Sequence, residues 1–83
     1  MNSVDLMNQY YCIIGLNVAY YRRLRGLTQQ QLAANIGISR THLSNIEAVN
    51  MPTSVSMEVL LVIAKELEVP AHKLLVRPED QQI

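Results

Sequence analysis

The sequence has few of the residues that mark disulfide-bonded, metal-binding or irregular proteins. Its 83 residues include one cysteine, Cys12, so no internal disulfide can form, and no CxxC or Cys/His cluster has zinc-site spacing. Glycine and proline number only three each, whereas 49% of the residues are apolar. This composition argues against a disordered or fibrous chain and favours one small helical domain. Its core must be thin, because so short a chain buries only roughly 60–65% of its unfolded surface.

Long apolar runs and catalytic patterns are also missing. No apolar run approaches the roughly 18 residues that a membrane span requires, and the first residues lack the basic start and cleavage site of a signal peptide. We therefore expect a cytoplasmic protein without membrane contact. No Ser/His/Asp or Cys/His spacing and no phosphate-binding glycine loop is present. An enzyme is not expected, and neither is a cofactor, a metal ion or a small-molecule ligand.

Acidic residues are absent from a long stretch of the chain, although the net charge is zero. Between Asp5 and Glu47 there is no acid, while four arginines give this stretch a charge of +4. Residues 47–83 carry six acids against three basic residues, a balance of −3. A basic half joined to an acidic half is compatible with a nucleic-acid partner, or with a solvated arginine face that has no ligand. The four arginines are Arg22, Arg23, Arg25 and Arg40.

The spacing of apolar residues predicts five helices and no strand. The first covers about residues 10–25 and ends near Gly26. Ser56 can cap a fourth helix, and Pro70 suits the first position of a short fifth helix. The apolar residues at helical spacing in the first helix are Leu16, Tyr20, Leu24 and Leu27; those in the fourth are Met57, Leu60, Leu61, Ala64 and Leu67.

The second and third helices form a closely spaced pair. Thr28 and Gln31 make a capping-box pattern at the start of the second helix. Gly37 predicts a tight turn, and Ser39 is a good N-cap for the third helix. Such a pair is a candidate helix-turn-helix, although a glycine turn between amphipathic helices also occurs in ordinary bundles. The residues expected to face inward are Leu32, Ala33, Ile36, Leu43 and Ile46.

From about Ile14 to Leu75 the chain resembles the lambda-repressor/Cro-type helix-turn-helix family, also called XRE-type regulators. The matching residues are Arg22, Gly26, Leu27, Thr28 and Gln29, followed by LAANIGIS at 32–39, LSNIE at 43–47 and LLVIAKELEVPAHKLL at 60–75. The resemblance implies an all-α, five-helix, lambda-repressor-like DNA-binding domain. The loop after Glu47 departs from the family pattern, because it is longer and lacks the usual glycine. The expected division is an N-terminal extension at 1–12 that can lengthen the first helix, the domain at 13–76 and a polar tail at 77–83.

The function implied is a sequence-specific regulator of transcription, of repressor or controller type, that binds double-stranded DNA. In this family the third helix, here about residues 39–48, lies in the major groove with its N-terminal half against base edges. Arginine and neutral polar side chains match the donors and acceptors of those edges. The expected base-reading residues are Arg40, Thr41, Ser44 and Asn45. Phosphate contacts are expected from Gln29, Thr28, Arg23 and Ser39.

The resemblance also implies an ion pair between Arg22 and Glu47 that joins the first helix to the third. We further predict a homodimer on an inverted repeat, because a single helix touches few base pairs and the second half of the chain has surplus apolar residues. Closure of the monomer core is the other use for these residues. A protein-interaction module of the same fold, such as an antitoxin or a bridging factor, is the alternative function. The residues expected at the dimer interface are Val62, Val69, Leu74 and Val76.

Overall fold

The computed structural model describes residues 2–81, which form four α-helices followed by two short 3-10 helices. The α-helices are α1 (Ser3–Leu24), α2 (Gln29–Ile36), α3 (Arg40–Glu47) and α4 (Met57–Leu67). No strand occurs within residues 2–81, so the all-α prediction is confirmed. The short fifth helix predicted after Pro70 is the 3-10 helix Ala71–Leu75 and not a fifth α-helix, and a second 3-10 helix covers Pro78–Asp80. Pro70 precedes only five helical residues and no side chain caps them, which suits the tighter geometry of a short 3-10 turn.

The helix boundaries predicted around α2 and α3 agree with the structure. Thr28 and Gln31 form the full capping box, with each side chain bonded to the other residue's backbone N–H. Gly37 ends α2 in the left-handed conformation, with φ of 79°. The hydroxyls of Ser39 and Ser56 cap α3 and α4 in the same manner as Thr28. Local side-chain chemistry therefore fixes both ends of the helix-turn-helix.

Helix α1 is longer than the spacing of its leucines predicted. It begins at Ser3, where the Asn2 side chain accepts a hydrogen bond from the Asp5 backbone N–H at 2.9 Å. Residues 3–12 of the expected N-terminal extension and the first helix thus form one continuous helix of 22 residues, Ser3–Leu24. Nevertheless, no helix within residues 2–81 combines the length and the hydropathy that crossing a membrane requires. Three apolar residues that revealed the helix lie on its exposed side, namely Leu16, Tyr20 and Leu24.

The hydrophobic core lies between α1, α2, α3 and α4, and the C-terminal 3-10 helix Ala71–Leu75 closes it from one end. Leu74 was predicted to face a second copy, but it is fully buried in the monomer. Ile63 of α4 is buried as well. Some of the apolar residues in the second half of the chain therefore complete the thin core of the monomer and are not available to a partner. The fully buried apolar side chains are Val18, Leu32, Leu43, Ile63, Leu67 and Leu74, with no exposed fraction.

A buried asparagine fixes the end of the chain to α1. The Asn17 side-chain amide donates to the backbone carbonyls of Leu74 at 3.0 Å and Val76 at 2.8 Å. Its oxygen accepts from Gln81 Nε2 at 2.9 Å, and the Tyr21 hydroxyl bonds with the Gln81 side-chain oxygen. Every polar atom of the Asn17 side chain is satisfied, which makes its burial tolerable. This network holds the C-terminal segment (residues 71–81) across the middle of α1.

Candidate nucleic-acid interface

Helices α2 and α3 meet at a turn built on Gly37. The carbonyl of Ala33 accepts hydrogen bonds from the backbone N–H groups of both Gly37 and Ile38, which close the end of α2. A residue with a Cβ would be strained at this positive φ. Leu43 and Ile46 lie on the inner side of α3 and are buried, so they anchor this helix to the rest of the domain. The opposite side of α3 is left facing outward.

The outward side of α3 carries the four residues expected to read bases. Arg40, Thr41 and Asn45 are exposed, and Ser44 is half-buried. Within the part of the chain that the structure describes, none of these four side chains makes a hydrogen bond or an ion pair with the protein. The face thus offers one guanidinium, two hydroxyls and one carboxamide to an external partner. All four groups can donate to or accept from base edges in the major groove.

An ion pair fixes the C-terminal end of α3 to α1. Arg22 and Glu47, for which the resemblance implied a pair, form a bidentate contact. The Nε and Nη2 groups of Arg22 donate to the two carboxylate oxygens of Glu47 at 2.7 and 2.9 Å. The exposed fractions of the two side chains are only 9% and 5%. A pair held this way restricts the orientation of α3 relative to α1.

Two further contacts complete the surroundings of this pair. Arg22 Nη1 donates to the Leu27 carbonyl at 2.8 Å, and Gln29 Nε2 donates to Glu47 at 3.0 Å. The hydrogen bonds to Glu47 raise the pKa of Arg22 above its ordinary value, despite the opposing effect of burial. Gln29, expected at a phosphate, therefore also helps to hold the carboxylate that anchors α3.

Glycine 15 allows α1 and α3 to approach closely. A Cβ added to Gly15 would lie 2.2 Å from the backbone oxygen of Ile46, which is far inside van der Waals contact. The spacing of apolar residues does not reveal this role of Gly15. An isolated glycine inside a helical pattern is the signal that would have found it, because such a glycine often marks a close approach of another backbone.

The other residues expected at phosphates surround the starts of α2 and α3. The hydroxyls of Thr28 and Ser39 accept from backbone N–H groups of their own helices at 3.0 Å. Arg23 is exposed near the end of α1. Arg25 behaves differently, since its Nε donates to the Leu67 carbonyl at 2.7 Å and its Nη1 lies 3.9 Å from the carboxylate of Glu68. Arg25 therefore fastens α1 to the end of α4.

The residues predicted to form the dimer interface differ in burial and in the groove that they line. Val62 lines a small cleft of about 290 Å³ beside the turn at Gly37. Val76 lines a different groove, of about 430 Å³, formed by the first half of α1 and the C-terminal segment. Val69 packs partly buried against the core, and Leu74 lies inside it. Within residues 2–81 no three His, Cys, Asp or Glu side chains are grouped so that they could hold a metal ion.

The chain is similar in sequence to known helix-turn-helix proteins. Residues 18–74 match the HTH_3 family model, described as helix-turn-helix. Control protein C.SmaI of Serratia marcescens is 35% identical over 65 residues, which are 78% of this chain and 75% of that protein. The transcriptional regulator SinR of Bacillus subtilis is 33% identical over 63 residues, 76% of this chain but 56% of SinR.

Two solved structures that are similar to this chain are also of proteins named as a transcription factor or a regulator. A hypothetical transcription factor, NHTF from Neisseria, superposes with a TM-score of 0.79 at 26% identity, covering 88% of this chain and 81% of that chain. SinR in complex with DNA superposes with a TM-score of 0.70 at 33% identity, covering 76% of this chain and 98% of that chain. The chain therefore belongs to the XRE-type family of helix-turn-helix transcriptional regulators.

Proposed function

We propose that this regulator binds double-stranded DNA in a sequence-specific manner by inserting α3 into the major groove. The observation that carries the proposal is the division of α3 into two sides. One side carries Leu43 and Ile46, which are buried. The other side presents polar groups that form no hydrogen bond with any residue within 2–81. The major groove accommodates an α-helix, and the exposed N-terminal half of α3 would meet the base edges. The structural similarity to SinR, which has been solved in complex with DNA, supports the same partner here.

The four outward residues would divide the recognition between them. Arg40 suits the O6 and N7 acceptors of guanine, and Asn45 suits the N6 donor and N7 acceptor of adenine. The hydroxyls of Thr41 and Ser44 can donate or accept, and the Thr41 methyl can contact a thymine methyl. The sequence preference would then be set by Arg40 and Asn45, with the hydroxyls refining it.

Phosphate contacts would position α3 before any base is read. Thr28 and Ser39 start α2 and α3, where free backbone N–H groups attract anions. Gln29 has two amide hydrogens, and one of them is used by Glu47. The second can donate to a phosphate, so Gln29 would connect the DNA backbone to the ion pair behind α3. Arg23 would add a charge from the end of α1.

The distribution of free positive charge supports a dimer. Arg22 is neutralised by Glu47 and Arg25 is bound at the end of α4, so Arg23 and Arg40 are the arginines of this half without an acidic partner within residues 2–81. Two charges release few counterions, and a single copy would bind weakly at physiological salt. We infer a symmetric homodimer on an inverted repeat, with its two recognition helices about 34–36 Å apart. A regulator of repressor or controller type acting on DNA would work in the cytoplasm.

Selection of bound sequences from random duplex DNA tests the proposal directly. At low salt the full chain should enrich two inverted half-sites whose centres lie one helical turn apart. Affinity should fall as salt rises, with a log–log slope of about −3 to −4 for four arginine contacts per dimer. Absence of salt-sensitive binding to any duplex would contradict DNA recognition. Enrichment of isolated half-sites alone would contradict the dimer and leave DNA recognition intact.

A further inference from the structure

The first two turns of α1 have a composition that the proposed DNA contacts do not use. This N-terminal arm (Ser3–Tyr10) precedes the residues matched by the family model, and every one of its residues is exposed. Two helical turns without tertiary burial are marginal in water, because nucleation is costly. The arm nevertheless carries four large apolar side chains. They are Val4, Leu6, Met7 and Tyr10, with exposed fractions of 64%, 48%, 51% and 43%.

The arm forms one wall of an open groove. Leu6 and Tyr10 line it together with Ile13 from the next turn of α1, and the opposite wall is Leu75 and Val76 of the C-terminal segment. The groove has a volume of about 430 Å³. Polar and charged side chains line the groove as well, namely Gln9, Arg77 and Asp80. An open groove of mixed lining beside exposed apolar side chains of a helix is a surface that favours contact with another protein.

We propose that the side of the arm that carries Leu6 and Tyr10, together with this groove, forms the twofold interface through which a second copy of this chain docks; the inference rests on the symmetric dimer of the proposed function. We call them the arm–groove surface. Its polar margin carries both signs of charge, because Arg77 and Asp80 line the groove and Asp5 lies on the arm. In a twofold contact the same patch meets itself, so each charge can face its opposite on the partner.

The exposed apolar area supplies a large part of what a dimer contact needs. Aromatic side chains present roughly 150–250 Å² each when fully accessible, and leucine and methionine lie near or below the lower end of that range. With the exposed fractions of Leu6, Met7, Tyr10 and Leu75, between 37% and 51%, these four contribute on the order of 300 Å² per protomer. A standard interface buries about 800 Å² per partner, of which roughly 60% is apolar. The partly buried Ile13 and Val76 and the charged margin would supply much of the remainder.

The arm–groove surface also leaves the DNA-reading side free. Gly15 faces α3 and Asn17 faces the C-terminal segment, and two positions of a helix that are two residues apart point about 200° from each other. The groove therefore lies on the side of α1 turned away from α3. The cleft at Val62, in contrast, borders the turn at Gly37 and is smaller, at about 290 Å³. Docking at the arm–groove surface keeps the helix-turn-helix accessible.

Charge substitutions on the arm test this interface. Leu6→Glu and Tyr10→Glu would place an unpaired carboxylate in the contact, so each should raise the dimer dissociation constant at least about tenfold in sedimentation at micromolar concentration. Asn8→Glu is the matched control, because Asn8 is exposed on the same arm and lies about 200° from Leu6. This control should change the constant by less than about twofold. Dissociation by Val62→Glu with no effect of Leu6→Glu or Tyr10→Glu would overturn the inference.

Two further measurements separate this inference from the proposed function. Amide hydrogen exchange of residues 3–10 in the unmodified chain should slow as the concentration rises through the dimer range. A duplex with a single half-site should bind Leu6→Glu as well as it binds the unmodified chain, whereas an inverted repeat should bind the variant more weakly. A stable dimer without protection of the arm would overturn the arm–groove surface alone. A chain that stays monomeric on the inverted repeat would overturn both the dimer and this interface, while failure to bind either duplex would contradict DNA recognition.

Discussion

Helix α3 and the N-terminal arm both present an exposed helical surface, and the two surfaces differ in chemistry. The exposed side of α3 is polar, and the arm exposes Leu6 and Tyr10. Helix α3 is fixed by buried leucine and isoleucine and by an ion pair, whereas no residue of the arm is buried. A rigid polar surface suits the reading of hydrogen-bonding groups at fixed positions. An apolar surface without its own support suits coverage by another protein chain. Five substitutions test this difference.

The largest effect is expected from Glu47→Ala, which removes the anchor of the rigid region. The guanidinium of Arg22 would remain at a nearly buried site without its bidentate partner. Stranding a buried charge in this way costs about 3–5 kcal/mol. Thermal denaturation should show a large fall in the melting temperature, and specific DNA binding should weaken because the orientation of α3 is no longer fixed.

Glu79→Ala is the control for this prediction, because Glu79 is an exposed carboxylate far along the chain. It should leave the melting temperature almost unchanged. The raised pKa of Arg22 means that its stabilising charge is complete at every pH below its unfolded value and is lost only in strong alkali. The difference between the two variants should therefore persist from neutral to mildly alkaline pH. Equal melting temperatures for the two variants would contradict the importance of the pair.

Gly15→Ala should disturb the contact between α1 and α3. Alanine normally stabilises the interior of a helix by up to about 1 kcal/mol relative to glycine. At this position the added methyl would meet the Ile46 carbonyl, so we expect a net loss of about 2–3 kcal/mol in the free energy of unfolding. Asn8→Ala on the exposed arm should instead be neutral or slightly stabilising. Stabilisation by Gly15→Ala would show that the two helices can separate at little cost.

Arg40→Ala and Asn45→Ala test the polar side of α3. Each should cost about 1–3 kcal/mol of binding free energy at the preferred site and relax the preference at one base position. The free energy of unfolding should hardly change, because both side chains are exposed and make no hydrogen bond or ion pair with the protein within residues 2–81. Binding to a panel of single-base variants of the selected site measures both effects. A uniform loss across the panel would contradict base reading by that residue.

Gln29→Ala should have the smallest effect and a different signature. Phosphates carry no sequence information, so binding to every duplex should weaken alike, by about 1 kcal/mol or less. A small loss of thermal stability should accompany it, because Gln29 also donates to Glu47. The same panel of duplexes measures the first effect and thermal denaturation the second. A change of preference at a single base pair would reassign Gln29 to base reading.

Much of the helix-turn-helix could be predicted from the sequence, because its signals are local. Thr28, Gly37 and Ser39 act on the backbone within a few residues of themselves, so their types alone locate the helix ends. The pair between Arg22 and Glu47 joins positions that are distant in sequence. The resemblance to a family implied it, whereas no spacing rule did.

The features of the fold that could not be predicted from the sequence depend on tertiary packing, which the periodicity of apolar residues does not determine. Helix α1 has apolar residues on more than one side, and the spacing of Leu16 and Tyr20 did not show that their side is the exposed one. Leu74 could fit either an interface or the core, and only the packing of the C-terminal segment on α1 and α4 decided between them. The role of Asn17 could not be predicted from the sequence, because its side chain donates to backbone carbonyls that lie more than fifty residues away.

The separation of roles along α3 has an evolutionary consequence. Leu43, Ile46 and Glu47 hold α3 in the fold by burial and by the ion pair. The side chains proposed to read bases form no hydrogen bond or ion pair within residues 2–81. Mutations at Arg40 or Asn45 are therefore selected through binding alone, without a compensating change elsewhere in the fold. A duplicated copy of this regulator could acquire a new operator through a few substitutions. If the proposed dimer interface stayed unchanged, however, the two copies would mix as heterodimers on hybrid sites until that surface also diverged.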